Sequence, residues 1–251
     1  MPTIAIITCE ILELEFARLL SNDSDIGEVI VIENNYSGRF IEAMEKSGSK
    51  NLVRIPHLNN FRNNPGERLN VIVLFLGMKL HRSRIILAKS IVKAVQEMSH
   101  FAESLFIGYG LCGTGSVNVL EYVKKDIPVH FLSDGGQPVD DCVGLLIGGR
   151  KIYYEEQCKT PGTFYITPGW SIHWRQMFGS ASARQYEGSI KKMFTGYSRM
   201  LLIGNPVMTE ESMLENIAGL NNLLCLNIET RKGTVKLLED SWEMVTQSVC
   251  T

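Results

Sequence analysis

No Cys-x-x-Cys pair occurs in the 251 residues, although six cysteines do, at 9, 112, 142, 158, 225 and 250. That absence removes the ligand spacing of zinc ribbons and the thioredoxin-type redox motif. A chain of this length buries a core without disulfide staples, so mostly free thiols in a reducing compartment are expected. Long apolar runs are missing too. The longest, VIVLFLGM at 71–78, is less than half of the roughly 20 residues that a membrane-spanning helix needs. MPTIAIITC carries neither the basic start nor the small-residue cleavage site of a secretory signal, so a cytoplasmic protein with no membrane partner is expected. There is no excess of either charge, since 25 Lys and Arg stand against 27 Asp and Glu. Such a balance gives no electrostatic footprint for nucleic acid. A P-loop, H-E-x-x-H and G-x-S-x-G are also absent, which sets aside the chemistries those motifs carry.

What is there is an alternation of short β-rich apolar runs with segments of helical period. Strands are predicted at 3–8, 28–33, 51–55, 70–76, 104–109, 127–133, 163–167, 199–204 and 222–229. Helices are predicted at 10–20, 39–47, 82–98, 116–125, 140–157, 170–178 and 209–221, with Gly148–Gly149 as a break point in the fifth. In 82–98, Ile85, Ile86, Leu87, Ile91, Val92 and Val95 are expected to form the buried face. Parallel neighbours need a crossover, so the alternation predicts an α/β fold with a mainly parallel, doubly wound, Rossmann-like sheet. Residues 1–251 read as a single domain. The Asn- and Pro-rich segment 56–68 is a candidate lobe boundary, and strand–Cys–helix units at 3–20 and 104–125 suggest two related lobes.

Ligands of open α/β sheets collect beyond the carboxyl ends of the strands. Cys9 follows the first predicted strand, Cys112 follows the strand at 104–109, and Cys142 opens the helix after 127–133. His81 stands in the loop after 70–76. Three thiolates and an imidazole make a tetrahedral zinc set and suit other thiophilic ions. Placement near helix N-termini is expected to lower the thiol pKa values. Buried structural cysteines are the alternative. Cys225 is expected in an apolar strand, Cys158 as a structural thiol at a helix end, and Cys250 exposed in the tail.

Gly108, Gly110 and Gly113 spell G-x-G-x-x-G, and Asp134 stands 21 residues beyond the last of them, as a ribose-binding carboxylate would. The same glycines would let the backbone wrap closely around a ligand held by Cys112. Asp140 and Asp141 precede Cys142; one is expected to cap the helix, and either could serve as ligand, base or support. Tyr165, Thr167 and Trp170 surround another strand end and are expected to shape a pocket or pack the core. His57, His100, His130 and His173 show no pattern tying them to a nucleophile; His130 reads as an edge residue and His173 as part of a packed helix face.

ITCEIL, LH after a strand, GYGLCG, DDC leading to GLLIGGRKIYYEE, and PGTFYITPGW occur in that order over residues 3–178. Together they resemble an uncharacterised family, the domain of unknown function numbered 1638, seen mainly in methanogens and other anaerobes. The third motif of that family usually reads His-Asp-Cys, whereas Asp140 stands here in the histidine's place. The resemblance implies a shared site at Cys9, His81, Cys112 and Cys142. Tyr109, Gly110, Gly113, Asp140 and Trp170 are the residues expected to bind a ligand beside it. Members are often encoded beside corrinoid-dependent methyltransferase genes, which implies a role in one-carbon or corrinoid metabolism.

Three functions are therefore expected. The leading one is a zinc or other thiophilic-metal site serving an accessory or group-transfer step in corrinoid-linked methyl metabolism. A non-catalytic binding or chaperone module for a corrinoid or its carrier protein is the second. An oxidoreductase using NAD(P) at 108–113 and Asp134 is third, with NAD the least favoured cofactor.

Overall fold

The first strand, β1 (Thr3–Cys9), is buried along its whole length, which suits a central strand covered on both faces. It lies in a computed structural model that describes residues 2–49, 51–63, 68–115, 118–123, 127–178 and 184–249. Five further strands join it: β2 (Ile26–Ile32), β3 (Leu52–Ile55), β4 (Leu69–Leu76), β5 (Ser104–Gly108) and β6 (Val129–Phe131). Their order is β3-β2-β4-β1-β5-β6 and every pairing is parallel. The α/β, Rossmann-like expectation is thus met.

Side chains alternate across the sheet with the period of two that a strand imposes. Ile4 and Ile6 face one apolar cluster, which also takes in Phe16 and Leu20 of α1 (Glu13–Ser21) and Phe40 and Met44 of α2 (Gly38–Lys46). Ala5, Ile7 and Cys9 face the other cluster, with Leu87, Ile91, Val95 and Met98 of α3 (Arg84–Met98). Ile85 and Ile86 were expected on that buried face, yet they are 67% and 55% exposed. They lie out of phase with the 87–91–95–98 stripe, which alone meets the sheet at helical period.

After β5 the expected long helix at 116–125 does not form. A four-residue helix, α4 (Leu111–Thr114), and a 3-10 turn at Val119–Tyr122 stand instead, and residues 116, 117, 124 and 125 lie outside the described residues. A two-residue hairpin follows, β7 (Ser133–Asp134) with β8 (Gln137–Pro138). Next come α5 (Cys142–Ile147) and α6 (Arg150–Lys159), divided at Gly148 and Gly149, whose φ values of 107° and 111° side chains rarely adopt.

A second parallel sheet contains β9 (Thr163–Ile166), β10 (Arg199–Gly204) and β11 (Asn227–Lys232), in the order β11-β10-β9. Around it lie α7 (Pro168–Phe178), α8 (Arg184–Met193), α9 (Glu210–Leu224) and α10 (Lys236–Gln247). The strand expected at 222–229 begins only at Asn227, because α9 runs on to Leu224. Cys225 is therefore not a core strand residue; it is exposed and ends α9 with a left-handed φ of 52°. Leu201 and Ile203 of β10 and Trp242 of α10 belong to the same apolar cluster as Ile4. The two sheets therefore share a core.

Segment 56–68 joins β3 to β4 within the first sheet, so it does not divide lobes; the change of sheet falls between β6 and β9. Likewise β1 and β5 are neighbours in one sheet, so the two strand–Cys units do not mark two lobes. Among the described residues no helix is long and apolar enough to cross a membrane.

Candidate thiol-lined site

β1 connects toward β2 on one side and β5 toward β6 on the other, so their connections diverge and open a crevice at the carboxyl ends. A cavity of about 420 Å³ lies there. Cys9, His81, Cys112 and Cys142 all line it, and so do Tyr109, Gly110 and Trp170. Four side chains dispersed over 134 positions of sequence thus converge on a single cavity, as the strand-end argument predicts. Cys9 comes from the end of β1, His81 from the turn after β4, Cys112 from α4 and Cys142 from the first position of α5.

The Cys9 Sγ lies 3.5 Å from His81 Nε2. Burial pushes the Cys9 thiol up to about 12 and holds His81 below its ordinary value. Desolvation penalises both charged forms, so the pair is a neutral thiol and a neutral imidazole. Cys112 is pushed up to about 11 by burial and then by the neighbouring Asp141 carboxylate. Cys142 is also raised well above its ordinary value, by burial first and then by Asp141, Cys112 and Cys9. The lowered thiol pKa values expected from helix N-termini are thus not found. Desolvation outweighs the helix ends, and α4 is only four residues long.

Backbone geometry decides what the glycine loop does. Leu111 N–H donates to Val139 O and Cys112 N–H to Asp140 O, each at 2.9 Å. A Cβ on Gly110 would lie 2.4 Å from Val139 O, so the glycine admits another backbone segment and not a pyrophosphate. Gly113 packs against the Tyr109 ring and Ile91 and does not line the cavity. Asp134 lies in the β7–β8 hairpin and accepts from Arg150 N–H at 3.0 Å, capping α6. The Leu111 and Cys112 amides, which a phosphate cradle would need, are thus engaged with backbone carbonyls, which weighs against the dinucleotide reading.

The two aspartates separate. Asp141 caps α5 by accepting from Gly144 N–H at 2.9 Å, and its second oxygen accepts from Tyr153 Oη at 3.3 Å within the cavity wall. Asp140, expected to bind the ligand, instead turns its carboxylate to Arg150 at 3.6 Å on the exposed surface. Only its carbonyl serves the site, through Cys112 N–H.

Tyr165 and Trp170 line the cavity as expected, whereas Thr167 is buried at the start of α7 and accepts from Trp170 N–H. Tyr153, Phe164 and Tyr197 also line it and were missed. Aromatic residues in IYYEE and TFYIT read equally well as core, and Tyr197 precedes a strand with no motif around it. The hydroxyls of Tyr109 and Tyr165 are buried without a hydrogen-bond partner, although the Cys9 thiol neighbours Tyr109. Unpaired buried hydroxyls cost free energy, and a cavity ligand is one way to satisfy them.

His173 lies outside the cavity, on a packed helix face as expected. Its Nε2 is 2.6 Å from Glu13 Oε1, and Gln176 Nε2 reaches both its Nδ1 at 2.9 Å and Glu10 Oε2 at 3.3 Å. Glu10 in turn accepts from Met78 N–H, which fixes the turn carrying His81. A Cβ on Gly169 would lie only 1.9 Å from Ile11 O, so α7 docks directly on the backbone after Cys9. His57 and His100 are exposed, His130 pairs with Ser248 at 3.0 Å, Cys158 is exposed on α6, and Cys250 lies outside the described residues.

Fold and site together define a Rossmann-like α/β protein with a thiol- and aromatic-lined cavity at its switch point. Comparison with curated proteins and with solved structures gave no match. The chain belongs to the family described as "Protein of unknown function (DUF1638)", whose model matches residues 75–242. That span holds His81, Cys112 and Cys142, leaves Cys9 outside, and continues past residue 178, where the motif resemblance ended.

Proposed function

We propose that the protein holds a soft metal ion, most simply zinc, between Cys9, His81, Cys112 and Cys142, and uses it for group transfer to or from a small molecule in the same cavity. The observation that carries this reading is the convergence of four soft donors from four chain segments on one cavity, with Cys9 and His81 already in contact. The donor kinds fit a soft cation. Their spacing as it stands does not close a shell, because among the described residues no group of three His, Cys, Asp or Glu is placed to hold an ion. Binding would require Cys112 and Cys142 to turn toward the Cys9–His81 pair. It would also release the protons that burial keeps on the thiols, so occupancy should rise with pH.

A cavity of 420 Å³ suits a small molecule and not a corrin macrocycle. In corrinoid-linked methyl metabolism, which the family resemblance implies, a corrinoid would act from a carrier protein at the cavity mouth. The metal supplies thiol or water activation when bound. Cytoplasmic location belongs to the same proposal.

Metal analysis of anaerobically purified protein tests it: about one equivalent is expected in the wild type and a large loss in Cys112→Ser. No stoichiometric metal in the wild type, or unchanged content in the variant, overturns it. A non-catalytic binding module is a second reading, favoured by the protonation of the buried thiols. Intact ligand binding by Cys112→Ser without any turnover by the wild type would select it.

A further inference from the structure

Six aromatic rings line the same cavity as the thiols: Tyr109, Tyr153, Phe164, Tyr165, Trp170 and Tyr197. Several meet nearly at right angles, with interplanar angles of 81° for Phe164–Trp170, 89° for Phe164–Tyr197 and 86° for Tyr153–Tyr165. At centroid separations of 5.7, 6.4 and 5.2 Å these rings pack edge to face and give the cavity non-parallel walls, whereas a slot for a flat heterocycle needs parallel ones. The only carboxylate among the described lining residues is Asp141, and none of them is a lysine or arginine. An anionic ligand finds no cationic side chain among those described lining residues, and the Leu111 and Cys112 amides already bond to Val139 and Asp140. A cation finds aromatic faces, which carry the negative lobe of the ring quadrupole, together with a carboxylate.

We propose that this cavity binds a small alkylated ammonium group, flanked by Phe164, Trp170 and Tyr197 and balanced by the Asp141 carboxylate in the same lining. The proposal names the ligand class for the cavity read above as a metal-dependent group-transfer site, and rests on that reading only for what happens to the ligand after binding. Asp141 stays within the wall because its oxygens are anchored by Gly144 N–H and Tyr153 Oη. Its charge therefore acts at a fixed place, and a quaternary ammonium needs no hydrogen bond from it.

Calorimetry on the intact chain compares choline with its uncharged carbon isostere, 3,3-dimethylbutan-1-ol, and metal content is measured on the same preparations. Choline is expected to bind at least about tenfold more tightly. Asp141→Asn, which keeps a good helix cap, is expected to remove most of that preference while leaving isostere affinity unchanged. Trp170→Leu, measured well below its own melting temperature because the ring also packs on Phe164 and Phe178, is expected to weaken choline about tenfold. Equal affinity for the two probes, or no choline binding by folded protein, overturns the proposal. Choline selectivity in metal-free wild type supports it and removes the metal reading alone. Stoichiometric metal without choline selectivity removes this proposal and leaves the metal reading standing.

Discussion

Residues 9–15, CEILELE, serve two regions of the molecule that share a wall and differ in kind. Toward the cavity they present Cys9, Ile11 and Leu12, next to a Tyr109 hydroxyl that has no hydrogen-bond partner. Toward α7 and the end of β10 they present Glu10, Glu13 and Glu15, each 1% exposed. Here the polar atoms are nearly all paired: Glu10 with Met78 N–H and Gln176, Glu13 with His173, Glu15 with Asn205 at 2.8 Å. The paired side joins the two sheets, and the unpaired side faces empty volume. Buried polar groups are normally satisfied within the fold, and on the cavity side that leaves room for a ligand to satisfy the Tyr109 hydroxyl, as the functional proposal requires.

The sharpest way to break the joining side is Gly169→Ala. The added methyl would sit 1.9 Å from Ile11 O, a backbone atom that cannot rotate away. A loss of about 3 kcal/mol or more in urea unfolding, or failure to fold, is expected, at the upper end of overpacking costs. Wild-type stability in this variant would show that the two sheets are not held through α7.

A second test uses the one unpaired atom on the joining side, Glu15 Oε2. Burial raises the Glu15 carboxyl to about 7, offset in part by the Asn205 hydrogen bond. A folded pKa above the ordinary value means that the folded state binds the proton more tightly. The resulting stability is complete below about pH 4.5, falls as pH rises to 7, and stays lost above. The span corresponds to on the order of 3 kcal/mol. Glu15→Gln keeps the acceptor for Asn205 without the charge, so it should stabilise the protein at pH 8 by about 2 kcal/mol and flatten the decline. An unchanged pH slope in the variant would assign the decline to other groups.

The smallest stability effect is expected at the cavity. Cys112→Ser should shift metal-free unfolding by less than about 1 kcal/mol, because the thiol is partly exposed and carries little of the core. The same variant loses metal under the functional proposal. A loss of several kcal/mol would instead make Cys112 a structural residue and erase the contrast between the two sides.

Much of the fold was legible because strands and helices announce themselves by period. TIAIIT and NVIVLFL could be buried strands and little else, and the two glycines at 148–149 marked the break between α5 and α6. The failures were local. A helix was expected at 116–125, yet the helical turn after β5 comes earlier, at Leu111–Thr114, where the Leu111 and Cys112 amides bond to carbonyls of 139 and 140 far along the sequence. Cys225 was read as core because its neighbours are apolar, but α9 absorbs them and leaves the thiol outside. The acidic positions at 10, 13 and 15 lie in the predicted helix at 10–20, and nothing in its period foretells their burial. Their burial depends on α7, which begins more than 150 residues later.

By itself the sequence determined the parallel α/β architecture and the positions of four soft donors at strand ends, because both follow from local periodicity. Only the tertiary structure decided that those donors meet in one cavity with aromatic walls. It also decided that the glycine loop is occupied by backbone, and that burial keeps the thiols protonated. Those outcomes depend on which distant segments fill or vacate the space around each group, and hydrogen bonding and desolvation act through space rather than along the chain.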